Sequence, residues 1–245
     1  MTVQEIDLPM PDGPCDAFLA LPEDPGPHPG VLFIMDAIGL RPRIAQMAQR
    51  IADWGLAVLA PNHFWRAGRQ PLIDPELLTA ERAPARHKAM GELIAALTPA
   101  LWAADGPVYL DQLAQVARVT DAPTRVVGYC MGGRLGVALA AQCPDRVGVV
   151  AGFHPGGLVT DSPQSPHQLL PKVRARLYFG YADADPSMPI DAQDTFAAAA
   201  ADAGCDFRGE LYSGAAHGYT MADLPAYSAE AEARHWHELA RVFAD

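Results

Sequence analysis

The sequence predicts an α/β fold, a mostly parallel central sheet with helices on both faces, and three observations point to it. Short continuous apolar runs, such as residues 31–35, 56–60 and 147–153, have the character of strands buried on both faces. Stretches with apolar residues at helical spacing separate them, so strands and helices alternate along the chain. Most of the runs end in a turn that combines glycine with a polar residue, the position where open parallel sheets place their functional loops. A chain of 245 residues that is 50% hydrophobic can bury one sizeable core, so a single domain over residues 1–245 is expected, with no internal repeat.

Taken in order, residues 3–8 and 15–20 alternate apolar with polar positions around Pro11-Asp12-Gly13-Pro14 and predict an antiparallel hairpin. The proline-rich stretch 22–30 is a stiff surface connection. Residues 31–35 form a buried strand ending at Asp36-Ala37-Ile38-Gly39. A helix follows over about 43–54, with Ile44, Met47, Ile51 and Trp54 on one face, and then a strand at 56–60. Residues 61–84 are polar and broken by prolines; with His63, Trp65, Arg66 and Arg69 they predict a long loop or cap over a site. Met90, Leu93, Ile94 and Leu97 mark a helix over 85–97, and Leu110, Leu113 and Val116 a second one. Beyond the strand at 126–129 come a helix at about 131–142, the strand 147–153, a loop at 161–171 and a strand opening at Leu177-Tyr178-Phe179. A helix at 191–203, a strand at 206–211 and an amphipathic helix carrying Trp236, Leu239, Ala240 and Phe243 complete the chain.

Composition excludes several classes of function. A formal net charge of -11 with no basic run argues against nucleic acid or an anionic membrane surface as partner. The first seven residues have neither a basic segment nor an apolar one, so no signal peptide is expected, and no apolar stretch reaches membrane-spanning length. Cys15, Cys130, Cys143 and Cys205 lie far apart with no C-x-x-C pair, which suits reduced thiols in a cytoplasm better than disulfides or a zinc site. The sequence sets no oligomeric state.

The chemistry centres on Val126-Val127-Gly128-Tyr129-Cys130-Met131-Gly132-Gly133, a strand running into a helix through Gly-x-Cys-x-Gly. A nucleophile in such a turn has a strained backbone and needs glycine at both flanks, and the helix N-terminus favours thiolate over thiol. A packing thiol is the plain alternative. Asp36, Cys130, Asp183 and His217 all fall at strand ends. The order nucleophile, acid, histidine is that of α/β-hydrolases. His217 would move the proton and Asp183 would hold its ring, while the backbone N–H groups of Met131 and Ala37 would form the oxyanion hole. Asp183 stands closer to its strand than the competitor Asp185, and His154, a rival base, comes at the wrong place in that order and is assigned to the pocket wall. Asp36 also suits an Asx-turn acceptor.

The pieces Asp36-Ala37-Ile38-Gly39, Gly128 to Gly133, Gly180-Tyr181-Ala182-Asp183 and Ala216-His217-Gly218-Tyr219 resemble the dienelactone hydrolases over nearly the whole chain. The resemblance implies a Cys-His-Asp triad that hydrolyses a small-molecule ester or lactone through a thioester, without metal or cofactor. It also assigns thiol activation to Asp36, where the family usually has glutamate. Of the two arginines that hold a substrate carboxylate in dienelactone-cleaving members, Arg82 or Arg86 matches the first loosely, and Met221 stands at the second. Met221 therefore predicts a more apolar pocket and a preference for neutral substrates, unless an arginine of the cap restores the charge. The alternative from another class is a hydrolase-fold protein that binds a small ligand or senses thiol oxidation without turnover; the presence of nucleophile, acid and base argues for the enzyme.

Overall fold

The computed structural model describes residues 3–244. The part of the leader reading that rests on Met1 and Thr2 lies outside the described residues. The chain divides into two compact units, Met1–Thr124 and Arg125–Asp245.

In the first unit β1 (Gln4–Met10) and β2 (Gly13–Ala20) form the expected hairpin, closed where Met10 faces Gly13. β3 (Gly30–Ile34) and β4 (Ala57–Pro61) are parallel and joined through α1 (Pro42–Ala52), and the strands lie in the order β1-β2-β4-β3. Every residue of β3 and β4 is buried, as expected of central strands covered on both faces. Ile44, Met47 and Ile51 of α1 are buried at spacings of three and four. Trp54, expected on the same face, is 36% exposed. The helix stops at Ala52, and Gly55 in the left-handed region turns the chain away before Trp54 completes the stripe.

Residues 62–82 form the expected long loop, here termed the cap segment, with one short 3-10 turn at Pro75–Leu78. Prolines keep it from becoming helix, and buried polar contacts hold it to the unit instead. Asn62 donates to the Asp16 carboxylate at 2.8 Å, Gln70 N–H donates to the other oxygen of Asp16 at 3.0 Å, and the Gln70 amide donates to Asn62 at 2.9 Å. α2 (Ala83–Ala96) and α3 (Pro99–Val116) follow, bent 79° apart. Thr98 caps α3 by accepting from Leu101 N–H, with Pro99 at its first turn. The apolar stripe Leu93 and Leu97 of α2, with Leu101 and His63, lines a small cavity under the cap. Asp105 of α3 is buried and accepts from the Trp65 indole at 3.1 Å and from Arg66 at 3.0 Å, which ties the cap to the helix. No single helix among the described residues is long and apolar enough to cross a membrane.

In the second unit the strands β5 (Thr124–Tyr129), β6 (Val147–Phe153), β7 (Arg176–Ala182) and β8 (Phe207–Tyr212) follow one another across the sheet, with β6, β7 and β8 parallel. α4 (Met131–Gln142), the short α5 (Pro166–Leu169) and α6 (Ile190–Asp202) are the crossovers, and α7 (Ala229–Ala244) ends the chain. Aromatic packing holds these layers together. Tyr212 stacks on Tyr219 at 4.9 Å, and the fully buried His235 of α7 meets Phe153 edge-on at 4.2 Å while its Nε2 bonds the Tyr129 hydroxyl at 2.9 Å. Gly180 makes this possible, since a Cβ there would stand 2.7 Å from Tyr212 and 2.8 Å from the Tyr219 hydroxyl.

Replacing Asp105 with alanine leaves the Trp65 indole and Arg66 without their buried acceptor. The expected cost is about 2–4 kcal/mol in urea unfolding, with faster proteolysis within 62–82. Asp12→Ala, which removes an exposed partner of Arg66, should cost no more than about 1 kcal/mol. Equal effects would show that the cap is not anchored through Asp105.

Candidate active site

Cys130 stands between β5 and α4 with φ 55° and ψ -120°, a conformation that L residues avoid and that is held only where the surroundings demand it. Three hydrogen bonds make that demand. Cys130 N–H donates to the Phe153 carbonyl at 3.1 Å, and the Cys130 carbonyl accepts from Gly133 N–H at 3.2 Å and Gly156 N–H at 3.3 Å. The reason for glycine at 128 is direct: a Cβ there would stand 2.3 Å from the Gly132 carbonyl oxygen. The half-buried thiol thus sits at the positive end of a 12-residue helix.

His217, in the turn after β8, has its Nδ1 2.6 Å from Oδ2 of Asp185, and the charge of Cys130 acts on its ring. Burial by itself would push the imidazole down. The negative charge of Cys130 and the hydrogen bond that the ring donates to Asp185 prevail and carry it up to about 10. Asp185 shows the mirror image: burial would raise it, but His217 and the hydroxyl and N–H of Ser187 hold it below the ordinary carboxylate range. Opposite shifts in the two partners identify an ion pair strong enough to overcome desolvation.

The acid beside His217 is therefore Asp185, where the sequence points to Asp183. Asp183 is bound to the neighbouring loop: its N–H donates to the Ala215 carbonyl at 2.7 Å, and its Oδ2 accepts from Gly214 N–H at 2.8 Å. Between the two acids Ala184 has φ 49°, in the left-handed region. That single reversal turns the next residue inward, so Asp185 is buried and Asp183 half-buried. Ser187 went unnoticed in the sequence; it bonds Asp185 at 2.7 Å and lies 3.3 Å from His217 Nδ1.

His154 also takes a left-handed conformation, φ 39°, and its ring packs 5.2 Å from that of His217. It is buried, with Nε2 2.8 Å from the Thr220 hydroxyl, and its ring packs on that of His217. The turn after His217 differs from the pocket lining that its sequence suggested. The Tyr219 hydroxyl donates to the Gly180 carbonyl at 3.1 Å, Thr220 meets His154, and Met221 is fully buried.

The remaining candidates belong to the first unit. Asp36, at the end of β3, is buried and gripped by Arg41 through both oxygens, at 2.8 and 2.9 Å, while Ile38 N–H donates to it at 3.0 Å. The Asx-turn reading and an ion pair thus coexist at Asp36, and the acid offered for thiol activation has both oxygens engaged by Arg41. Ala37 follows, wholly buried. Arg82 is exposed before α2, and Arg86 is buried with its guanidinium donating to the carbonyls of Leu77 and Thr79 at 2.8 and 2.9 Å. His63 of the cap is fully buried with neither ring nitrogen hydrogen-bonded among the described residues, and burial pushes it down to about 3. Among those residues no group of three or more His, Cys, Asp or Glu side chains could hold a metal ion.

The profile of the dienelactone hydrolase family matches residues 15–245. A candidate carboxymethylenebutenolidase of Methylorubrum extorquens is 28% identical over 241 residues, covering 96% of this chain and 78% of its own length. Another, from Synechocystis, is 25% identical over 231 residues, 92% of this chain and 89% of its own. Among solved structures, a candidate dienelactone hydrolase of Klebsiella pneumoniae superposes with a TM-score of 0.86 at 21% identity, covering 99% of this chain and 98% of the other. A dienelactone hydrolase-like promiscuous phosphotriesterase from metagenomic libraries gives 0.78 at 22% identity, covering 99% and 97%. Likeness at that level of identity speaks for the α/β-hydrolase fold, and the match of the family profile over almost the whole chain speaks for descent. The chain belongs to the dienelactone hydrolase family and is an enzyme, a dienelactone hydrolase-like carboxylic ester hydrolase.

Proposed function

We propose that the protein cleaves small carboxylic esters or lactones by covalent catalysis through Cys130, with His217 as proton carrier and Asp185 as the acid that holds its ring. The observation that carries this reading is the strained, half-buried thiol at a helix N-terminus, whose charge acts on an imidazole with its Nδ1 2.6 Å from a buried carboxylate. A protein that only bound a ligand would have no use for this aligned set.

The steps follow from the groups. The Cys130 sulfur attacks the ester carbonyl carbon, its electron pair forming the C–S bond while the carbonyl π electrons move to oxygen. The Met131 N–H, next to the nucleophile at the start of α4, is a donor suited to that oxyanion. Collapse of the tetrahedral adduct breaks the C–O bond, and the imidazolium of His217 gives its proton to the leaving alkoxide. In a lactone that alkoxide remains tethered to the acyl group. Neutral His217 then takes a proton from water, the hydroxide attacks the thioester carbon, and collapse breaks the C–S bond, releasing the carboxylic acid and leaving the thiolate beside the imidazolium. Asp185 stabilises the charged ring in both halves.

Asp185→Asn should lower kcat/KM for a p-nitrophenyl ester by about 10²–10⁴, and Asp183→Asn by no more than about threefold, since its carboxylate meets a loop amide and not the ring. A larger loss at Asp183 would remove Asp185 from the mechanism.

The pH profile gives an independent check. The leaving group needs the imidazolium, so activity should persist through pH 8–9 and fall as pH rises through about 10. Because Asp185 is one of the groups that raise His217, the alkaline limb of the residual activity of Asp185→Asn should lie at lower pH. An alkaline limb that stays in place in the variant contradicts the pairing.

Thiol chemistry provides the direct test of the nucleophile. Cys15 is fully buried and pushed up to about 12 by burial, and burial also raises Cys205. Limiting iodoacetamide should therefore modify Cys130 first, with activity lost in proportion. Modification of Cys130 with full retention of esterase activity would exclude it as nucleophile.

A further inference from the structure

Ser187 follows the acid of the proposed site by two residues, and a turn sets its backbone. The Met188 N–H donates to the Asp185 carbonyl at 3.1 Å, with Pro186 at the second position, where its fixed φ suits a β-turn. Within that turn the Ser187 N–H donates to Oδ1 of Asp185 at 2.8 Å, an ordinary Asx-turn contact. The hydroxyl adds what local turn chemistry does not require. It donates to the same Oδ1 at 2.7 Å, although Ser187 is exposed and water could satisfy it. Among the described residues no other group donates to Oδ1, while Oδ2 faces Nδ1 of His217 at 2.6 Å. One carboxylate oxygen is thus clamped by Ser187 and the other is given to the ring.

The same serine is tied to the nucleophile elbow through its carbonyl. The Gly157 N–H donates to it at 3.0 Å, and the neighbouring Gly156 N–H donates to the Cys130 carbonyl at 3.3 Å. Two successive amides of the turn 156–157 therefore hold the elbow on one side and the acid turn on the other. Gly156 leaves room for this arrangement: a Cβ there would stand 2.9 Å from the Ser187 hydroxyl, 3.2 Å from its Cβ and 3.8 Å from Cε1 of His217. The other ionisable groups that face the imidazole are Cys130 and His154, whose ring lies 5.2 Å away, and among the described residues neither bonds Asp185; Asp183 is turned to Gly214.

We propose that Ser187 is a positioning residue of the reaction: its hydroxyl stops rotation of the Asp185 carboxylate, which keeps Nδ1 of His217 protonated and leaves Nε2 to exchange protons with the reacting groups. This deepens the proposed cysteine mechanism and rests on it for the kinetic test only. The hydroxyl oxygen lies 3.3 Å from Nδ1, and because its proton goes to Asp185 it offers the ring lone pairs, which suit a protonated Nδ1. A carboxylate with one oxygen unheld can turn about its Cβ–Cγ bond and meet the ring at poorer geometry, and small misplacements of a proton carrier are costly to rate.

Two readouts test it. Ser187→Ala keeps the backbone N–H bond, and with it the turn, and removes only the hydroxyl; Ser187→Thr restores a hydroxyl at an exposed position. With a p-nitrophenyl ester, Ser187→Ala should lower kcat about 5- to 20-fold with KM changed no more than about twofold, and Ser187→Thr should recover most of the loss. Gly156→Ala drives a methyl group at the hydroxyl, so it should lower kcat in the same way and cost much less in the Ser187→Ala background. The second readout is the proton NMR signal of the His217 Nδ1–H, shifted downfield by its bond to Asp185 and identified by its absence from His217→Gln. In the resting protein its exchange with water should quicken about threefold or more in Ser187→Ala and return toward the wild-type rate in Ser187→Thr. A kcat of Ser187→Ala within about twofold of the wild type, a loss that threonine does not recover, or an unchanged exchange rate overturns the proposal. No ester hydrolysis by the wild type, with exchange still dependent on Ser187, would sink the cysteine mechanism and leave the positioning role standing. Should Ser187→Ala not fold, Gly156→Ala carries both readouts against the same limits.

Discussion

The positive φ of Cys130 is the constraint on which the rest of the second unit depends. An L residue held there costs on the order of 1–3 kcal/mol, and it persists because three segments converge on its backbone. The edge of β6 accepts its N–H, and the first turn of α4 and the turn at 156 both donate to its carbonyl. Each of those segments must come close, which is why Gly128 and Gly133 are glycines: a Cβ at 128 would meet backbone, and one at 133 would stand 2.9 Å from Pro155. The strain aims the thiol away from the sheet and toward the loops, where a proton carrier can reach it.

Electrostatics then decides the state of the groups that meet there, and two histidines of this chain show how. His217 and His63 both experience burial that favours the neutral ring. His217 has a carboxylate at 2.6 Å and the charge of Cys130, and rises to about 10. His63 has only a weak upward influence from Asp36 and falls to about 3. The difference between a ring that holds its proton and a neutral core ring is thus made by nearby charged partners, since the desolvation has the same sign in both.

The layer behind the site is built to keep those partners still. His154 packs against the His217 ring and is itself held by Thr220, while Tyr219 bonds the Gly180 carbonyl and stacks on Tyr212. Side chains whose polarity suggested contact with substrate are used inside the protein to satisfy buried polar atoms and to fix ring orientation.

The sequence by itself determined the alternation of strands and helices, the cysteine elbow with its obligatory glycine, the histidine after the last strand and the long loop after β4. These are properties of local periodicity and turn chemistry, and they are written in neighbouring residues. Tertiary structure alone decided which carboxylate serves the histidine, because Asp183 and Asp185 are alike in type and differ by one left-handed residue, Ala184, whose conformation is set by the strands and loops around it. It also decided that Trp54 is partly exposed, that Met221 faces the core and that Asp36 is taken by Arg41. In each of these cases the outcome depends on the direction of a side chain, which follows from packing between segments distant in the chain and leaves no mark in local pattern.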